Sequence, residues 1–374
     1  MVTSTAAPFV TMEEIRAAQR RIAGVAVRTP LVRVDPERMR AAGFAAPAFE
    51  LWLKAESAQP IGSFKLRGAY NMVAQLPESV RAPGVITYSS GNHAQGVAYA
   101  ARAMGVKAVI VMPGNAPAVK IAATEALGAE IVMVGNASSE RKAKAEEMSA
   151  RFGYAVIPPY DDARIIAGQA TCGLEIVEQL QDVDLVLSPV SGGGLLSGVA
   201  TAVKLAASEG LAQAGVQVWG CEPELAADAK ESFETRTLVE WPAAMTSRTV
   251  GDGLRTQSLG ALNFQHVLRF VDGIVAVPEE DIYAALRVLL RATDIVAEPS
   301  GAVTVAAALL GAARLPGAKK VIAVVSGGNI DPVLKERMWR RRERRSEAVE
   351  DFGLWVAASV NRSRWLACIL DRHV

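Results

Sequence analysis

Short apolar runs recur along the chain, and stretches with helical periodicity lie between them. FELWLKAE, GVITYSS, KAVIVMP, AEIVMVG, DLVLSPV, VQVWGCEP and KKVIAVVSGGN read as strands, largely continuous in apolar residues rather than alternating. NHAQGVAYAARAMG, PAVKIAATEALG, SSERKAKAEEMSARFG, LLSGVATAVKLAAS and EEDIYAALRVLLRAT read as helices, several closing on glycine. Strands that are apolar on both faces need cover on both, and helices alternating with them supply it. The expectation is an α/β fold with parallel-rich twisted sheets covered by helices. At 374 residues the chain exceeds one ordinary domain, so two are expected. Near its start, Thr11 and Glu14 in TMEEIRAAQRRIAGV form a capping box, which predicts a helix.

Charge and rare residues narrow the function. A net charge of +1 gives no pull towards nucleic acid or an anionic membrane. The three cysteines (Cys172, Cys221, Cys368) are far apart, which argues against a disulfide frame and for a reducing compartment. The three histidines (His93, His266, His373) leave little material for a histidine-built metal site or triad. No leader pattern is visible at the N-terminus, and AVTVAAALLGAA (302–313) is too short to span a bilayer and reads as a buried helix. A cytoplasmic protein acting on a small molecule, without nucleic-acid or membrane partners, is expected. Arginine and lysine crowd 335–345, which reads as an exposed helix before a poorly ordered end.

Three loops at strand ends carry the chemistry. SPVSGGGLLSG (188–198) follows a strand and opens a helix; its glycines allow a cup of N–H donors and the helix start favours an anion, so a phosphate is the natural guest. The spacing misses the third glycine of the dinucleotide fingerprint, and no Gly-Lys-Ser/Thr is present for a nucleoside triphosphate. TYSSGNHAQG (87–96) repeats the strand–loop–helix geometry with polar side chains suited to a carboxylate. VVSGGNID (324–331) is the third. Ligands in open α/β sheets gather at the carboxyl ends of strands, so one shared site is expected. GSFKLRGAYN (62–71) places a lysine, Lys65, in a run without an acidic neighbour.

Together GSFKLRGAYN, TYSSGNHAQG, SPVSGGGLLSG and VVSGGN resemble the threonine/serine dehydratase and serine racemase family of pyridoxal phosphate enzymes, of the tryptophan synthase β-like fold, or fold type II. MPGNAPAVKIAATEALGAEIV, IAGQATCGLEI and AEPSGAVTVAAAL extend the resemblance over about residues 11–334. It implies a pyridoxal 5'-phosphate carried covalently by Lys65, with Gly192, Gly193, Gly194 and Leu195 around the phosphate. Asn92 would hydrogen-bond the ring 3' oxygen, and Ser326 would face the pyridine nitrogen. Ser89, Ser90, Asn92 and His93 would hold the substrate carboxylate. Gly253 would flank the ring, and Glu298 resembles a family acid near it. Relatives often have four glycines in the phosphate loop; here Ser191 takes the first place.

The implied layout is a large cofactor domain (1–80 and 163–338), a small substrate-loop domain (81–162) and a basic tail (339–374), in a homodimer or homotetramer. The implied reaction is loss of water and ammonia from L-threonine and/or L-serine, with Lys65 as base. Serine racemase, with Ser90 as the acid on the opposite face, and 3-hydroxyaspartate or phenylserine dehydratase are the alternatives within the family. A non-catalytic phosphate-ligand binding protein is the alternative outside it. Glu222, the Ala226 carbonyl and Asp228 in GCEPELAADAKES resemble a divalent metal site, of oxygen ligands suited to Mg²⁺ or Ca²⁺. About forty residues follow 334, so no effector domain is expected.

Overall fold

The structure, a computed structural model, describes residues 9–340 except 90, 115, 117, 136, 137, 312 and 313. The strands are β1 (Leu31–Arg33), β2 (Glu50–Ala55), β3 (Val85–Tyr88), β4 (Ala108–Pro113), β5 (Glu130–Val134), β6 (Ala155–Val156), β7 (Leu185–Pro189), β8 (Gln217–Pro223), β9 (Gly273–Val277) and β10 (Lys320–Val325). They form two sheets. The six-stranded sheet runs β1-β2-β10-β7-β8-β9, and the four-stranded sheet runs β5-β4-β3-β6. Every pairing is parallel except β1 on β2, where Leu31 lies opposite Lys54. The expected α/β architecture is therefore present.

β4 and β7 are buried at every residue, and β10 at all but its first. Alternate residues of β10 enter different cores. Ile322 and Val324 pack with Val186 and the helix Gly194–Ser208, while Val321, Ala323 and Val325 pack with Leu185, Leu187 and the helix Pro299–Leu310. Both faces of the sheet are thus sealed by helices, as continuous apolar runs require. The four-stranded sheet, drawn from residues 85–156, splits its side chains in the same way.

The Thr11 capping box is formed: Glu14 N–H reaches the Thr11 hydroxyl at 3.3 Å, and the Glu14 carboxylate accepts from Thr11 N–H at 2.8 Å. AVTVAAALLGAA supplies most of the buried helix Pro299–Leu310, and no described helix is long and apolar enough to cross a membrane. The strand reading missed β1, β6 and β9; two of these are three residues or fewer, below the length at which a pattern can be read. A helix Pro332–Arg340 carries the first basic residues of the tail, and the remainder of that stretch lies outside the described residues.

Candidate active site

The loops that leave β3, β6, β7 and β10 meet at the carboxyl ends of both sheets. Residues 62–64 are zipped to 326–328 by main-chain hydrogen bonds. Phe64 N–H donates to the Ser326 carbonyl at 3.0 Å, Gly328 N–H donates to the Gly62 carbonyl at 2.9 Å, and Ser63 bridges Gly327. Lys65 is the next residue and opens the helix Lys65–Gln75. It is half-buried, and its amine donates to the Pro159 carbonyl at 2.8 Å. No carboxylate pairs with it among the described residues. Burial pulls the amine down to about 8, because the ammonium form loses more solvation than the neutral one.

Pro159 and Tyr160 follow β6 and close one side. Tyr160 lies over the glycine loop: an added Cβ at Gly192 would sit 2.3 Å from Tyr160 Cδ1. Gly193 has φ +95°, a left-handed backbone that favours glycine, and its Cβ would meet Asn263 Cβ at 2.8 Å. The helix Gly194–Ser208 begins here with neither a side-chain cap nor an acidic residue in its first turn. Its leading N–H groups therefore face an anion site that the chain itself does not fill. Leu195 is buried behind them. The Ser191 hydroxyl is committed to Thr256, with the two oxygens 2.5 Å apart. This cradle of main-chain donors fits the phosphate of pyridoxal phosphate, and the lysine amine across from it fits the aldehyde.

Asn92 opens the helix Asn92–Ala103. Its amide nitrogen donates to Glu298 Oε1 at 2.5 Å, and its amide oxygen accepts from Asn329 at 2.7 Å. A second amide hydrogen is left for a ligand oxygen. His93 turns its ring inward: Nε2 faces the Ile157 carbonyl at 3.1 Å and so carries the hydrogen, leaving Nδ1 without a partner. Burial, with the Lys65 charge behind it, pulls His93 down to about 3, so the ring is neutral. Its main-chain N–H, at the helix start, is the group it offers to an anion. The Ser89 hydroxyl accepts from Gly91 N–H at 3.4 Å. Ser90 lies outside the described residues.

Glu298 is buried, and burial raises its carboxyl against the opposing pull of Lys120, whose amine stands 3.9 Å from Oε2. Lys120 also pairs with Asp252, beside Gly253, whose N–H donates to Ser300 Oγ at 2.9 Å. Ser326 is buried at the end of β10. Sequence reasoning missed Pro159, Tyr160, Lys120 and Asp252. The stretch PPYDD, a turn-rich segment before a helix, was the available signal for the first two; Lys120 and Asp252 carry none.

Glu222 and Asp228 lie at the end of β8 and the start of the helix Asp228–Thr235, with Ala226 between them. Glu222 accepts from the N–H groups of Lys230 (2.7 Å) and Ala229 (3.3 Å). Asp228 Oδ2 is buried and has no partner. Burial raises both carboxyls, Asp228 to about 7. Carboxylate oxygens of this kind are the ligands a hard cation takes, although no group of three or more His, Cys, Asp or Glu side chains gathers around one point among the described residues.

The profile of the pyridoxal-phosphate dependent enzymes matches residues 22–327. The L-threonine ammonia-lyase of Thermotoga maritima is 42% identical over 330 residues, covering 88% of this chain and 78% of the relative. The serine racemase of Schizosaccharomyces pombe is 36% identical over 321 residues, covering 86% and 94%. Among solved structures, a threonine deaminase from T.th. superposes with a TM-score of 0.77 at 42% identity, covering 86% of this chain and 99% of that one.

Proposed function

The chain belongs to the pyridoxal-phosphate-dependent enzyme family, and we propose on that premise that it is an ammonia-lyase removing water and ammonia from L-threonine and/or L-serine. The observation that carries the reading is the Lys65 amine, unpaired with any acid among the described residues and donating to the Pro159 carbonyl, beside an uncapped helix start and its glycine loop. With that amine lowered to about 8, roughly one in ten is neutral at pH 7, against about three in ten thousand for an ordinary lysine.

Bound there, pyridoxal phosphate supplies an electron-withdrawing ring that weakens the substrate Cα–H bond. Gly192, Gly193 and Gly194 would hold its phosphate through N–H groups, Asn92 its 3' oxygen, and Ser326 its ring nitrogen with a neutral hydroxyl. Ser89, Ser90 and the helix start at Asn92 and His93 orient the substrate carboxylate. Lys65 would hold the cofactor through its amine and, once freed of it, would take the substrate Cα proton as general base. The β-hydroxyl would leave as water, taking up one proton for the one removed from Cα, and the enamine released would add water and lose ammonia to give a 2-oxo acid: 2-oxobutanoate from threonine, pyruvate from serine.

The reading includes Mg²⁺ or Ca²⁺ at Glu222, Asp228 and the Ala226 carbonyl, supported by the unpartnered Asp228 oxygen. A reducing cytoplasmic setting is supported by the buried free thiols Cys172 and Cys221. Homodimeric or homotetrameric assembly completes it. The test is a panel of L-threonine, L-serine, D-serine and threo-3-hydroxyaspartate, assayed for 2-oxo acid and for enantiomer. Formation of 2-oxo acid from L-threonine or L-serine is expected. Racemised serine without 2-oxo acid would overturn the reading.

A further inference from the structure

Two residues beyond Lys65, Arg67 enters a fully buried set of charges that the chemistry above does not use. Its guanidinium grips Glu56 with two hydrogen bonds (Nε to Oε2 and Nη2 to Oε1, both 2.7 Å). It grips Glu175 with two more (Nη1 to Oε1 at 2.7 Å, Nη2 to Oε2 at 2.9 Å). Thr171 Oγ1 accepts at 3.1 Å. Lys54, on β2, donates to Glu175 at 2.6 Å and to the Thr29 carbonyl at 2.9 Å. Two cations and two anions cancel, and the side chains are 0–6% exposed.

A buried quartet of this kind is weak evidence for stability, since desolvation offsets the attraction and apolar replacements are often as stable. What it does supply is a fixed geometry. At about 100° per residue, Lys65 and Arg67 point to opposite sides of their helix. Gripping Arg67 at the back sets the rotation of Lys65 at the front. At the helix start itself, Phe64 makes no side-chain cap. Backbone contacts complete the vice: a Cβ at Gly168 would fall 2.6 Å from Gly68 Cα, and one at Gly96 would fall 3.1 Å from the Lys65 carbonyl.

We propose that Arg67 is a positioning residue, whose forked grip on Glu56 and Glu175 holds the Lys65 amine against the Pro159 carbonyl in the orientation the reaction needs. The charges of the quartet sum to zero, and burial is the cause that lowers the Lys65 amine. The titratable group facing Lys65 from the neighbouring helix is His93, held neutral, and the segment after β6 contributes the Pro159 carbonyl. The inference rests on reading Lys65 as the reactive amine.

The test is Arg67→Lys, which keeps the charge and loses the fork. Lys65 is labelled with an amine-reactive reagent in the full-length chain freed of cofactor, across about pH 6 to 11, and its labelling is read by peptide mass. Steady-state kinetics are measured on the holoenzyme. Loosened, Lys65 meets more water, so its midpoint should rise by about one pH unit towards the ordinary lysine value. The kcat should fall about tenfold or more with KM within about twofold. A midpoint and kcat equal to wild type, with only a lowered melting temperature, would overturn the proposal. If Arg67→Lys does not fold, Thr171→Val decides: it removes one partner of the guanidinium, and the same shifts are expected at a few-fold in kcat, while none would overturn the proposal. A wild-type enzyme making no 2-oxo acid would instead fault the function, and leaves the labelling test standing.

Discussion

Asn92 donates its amide hydrogen to Glu298 at 2.5 Å, tying the helix that follows β3 in the four-stranded sheet to the helix that covers β10 in the six-stranded one. The bond thus joins an element of one sheet to an element of the other, with Glu298 buried at the join. Asn92→Ala leaves a buried carboxyl without its donor. We expect a loss of about 1–3 kcal/mol in denaturant unfolding of the cofactor-free chain, and weaker cofactor retention. Unfolding and retention both equal to wild type would show that water replaces the amide fully.

Gly193→Ala should damage the phosphate cradle. Its φ of +95° strains any side chain, and the new methyl would lie 2.8 Å from Asn263 and 2.9 Å from Leu259. Strain and crowding of this sort cost about 1–3 kcal/mol each. Cofactor titration followed by absorbance should give an affinity at least about tenfold weaker.

Lys65 should titrate unlike the other lysines. Desolvation lowers it to about 8, so raising the pH through that value deprotonates it while surface lysines stay charged. Competitive labelling of the cofactor-free chain should show Lys65 reaching half its maximal reactivity near that pH. A midpoint above about 10 would mean that the amine is solvated.

The acidic pair is tested by metal. An ion held by Glu222 and Asp228 adds to stability by mass action. Chelator should lower the melting temperature, and Mg²⁺ or Ca²⁺ should restore it, with the cofactor absorbance retained. Glu222→Ala with Asp228→Ala should abolish the response. Glu222 also caps a helix through Ala229 and Lys230, so the informative quantity is the response to metal and not the baseline. An unchanged melting temperature in ion-free wild type would rule the site out.

Much of this was legible in residues 62–71, 87–96, 188–198 and 324–331, because backbone chemistry dictates glycine and small polar residues at strand ends. The main sheet followed from runs such as VIAVV, apolar on both faces. What stayed hidden was long-range. Pro159 meets Lys65 across 94 residues, and Lys120 meets Asp252 across 132. A surface lysine and an inter-lobe lysine look alike in one dimension. His93 likewise gave no sign that its ring would turn towards Ile157 and leave its backbone to face the loop.

The most direct test of the central claim is Lys65→Ala, assayed for 2-oxo acid from L-threonine and L-serine alongside circular dichroism and borohydride trapping of the cofactor. The same amine carries the cofactor and moves the Cα proton, so turnover should fall by at least about 10⁴. The fold should be unchanged, and trapped cofactor should appear on the Lys65 peptide of wild type and be absent from the variant. A variant that keeps more than about a tenth of wild-type activity would contradict the account.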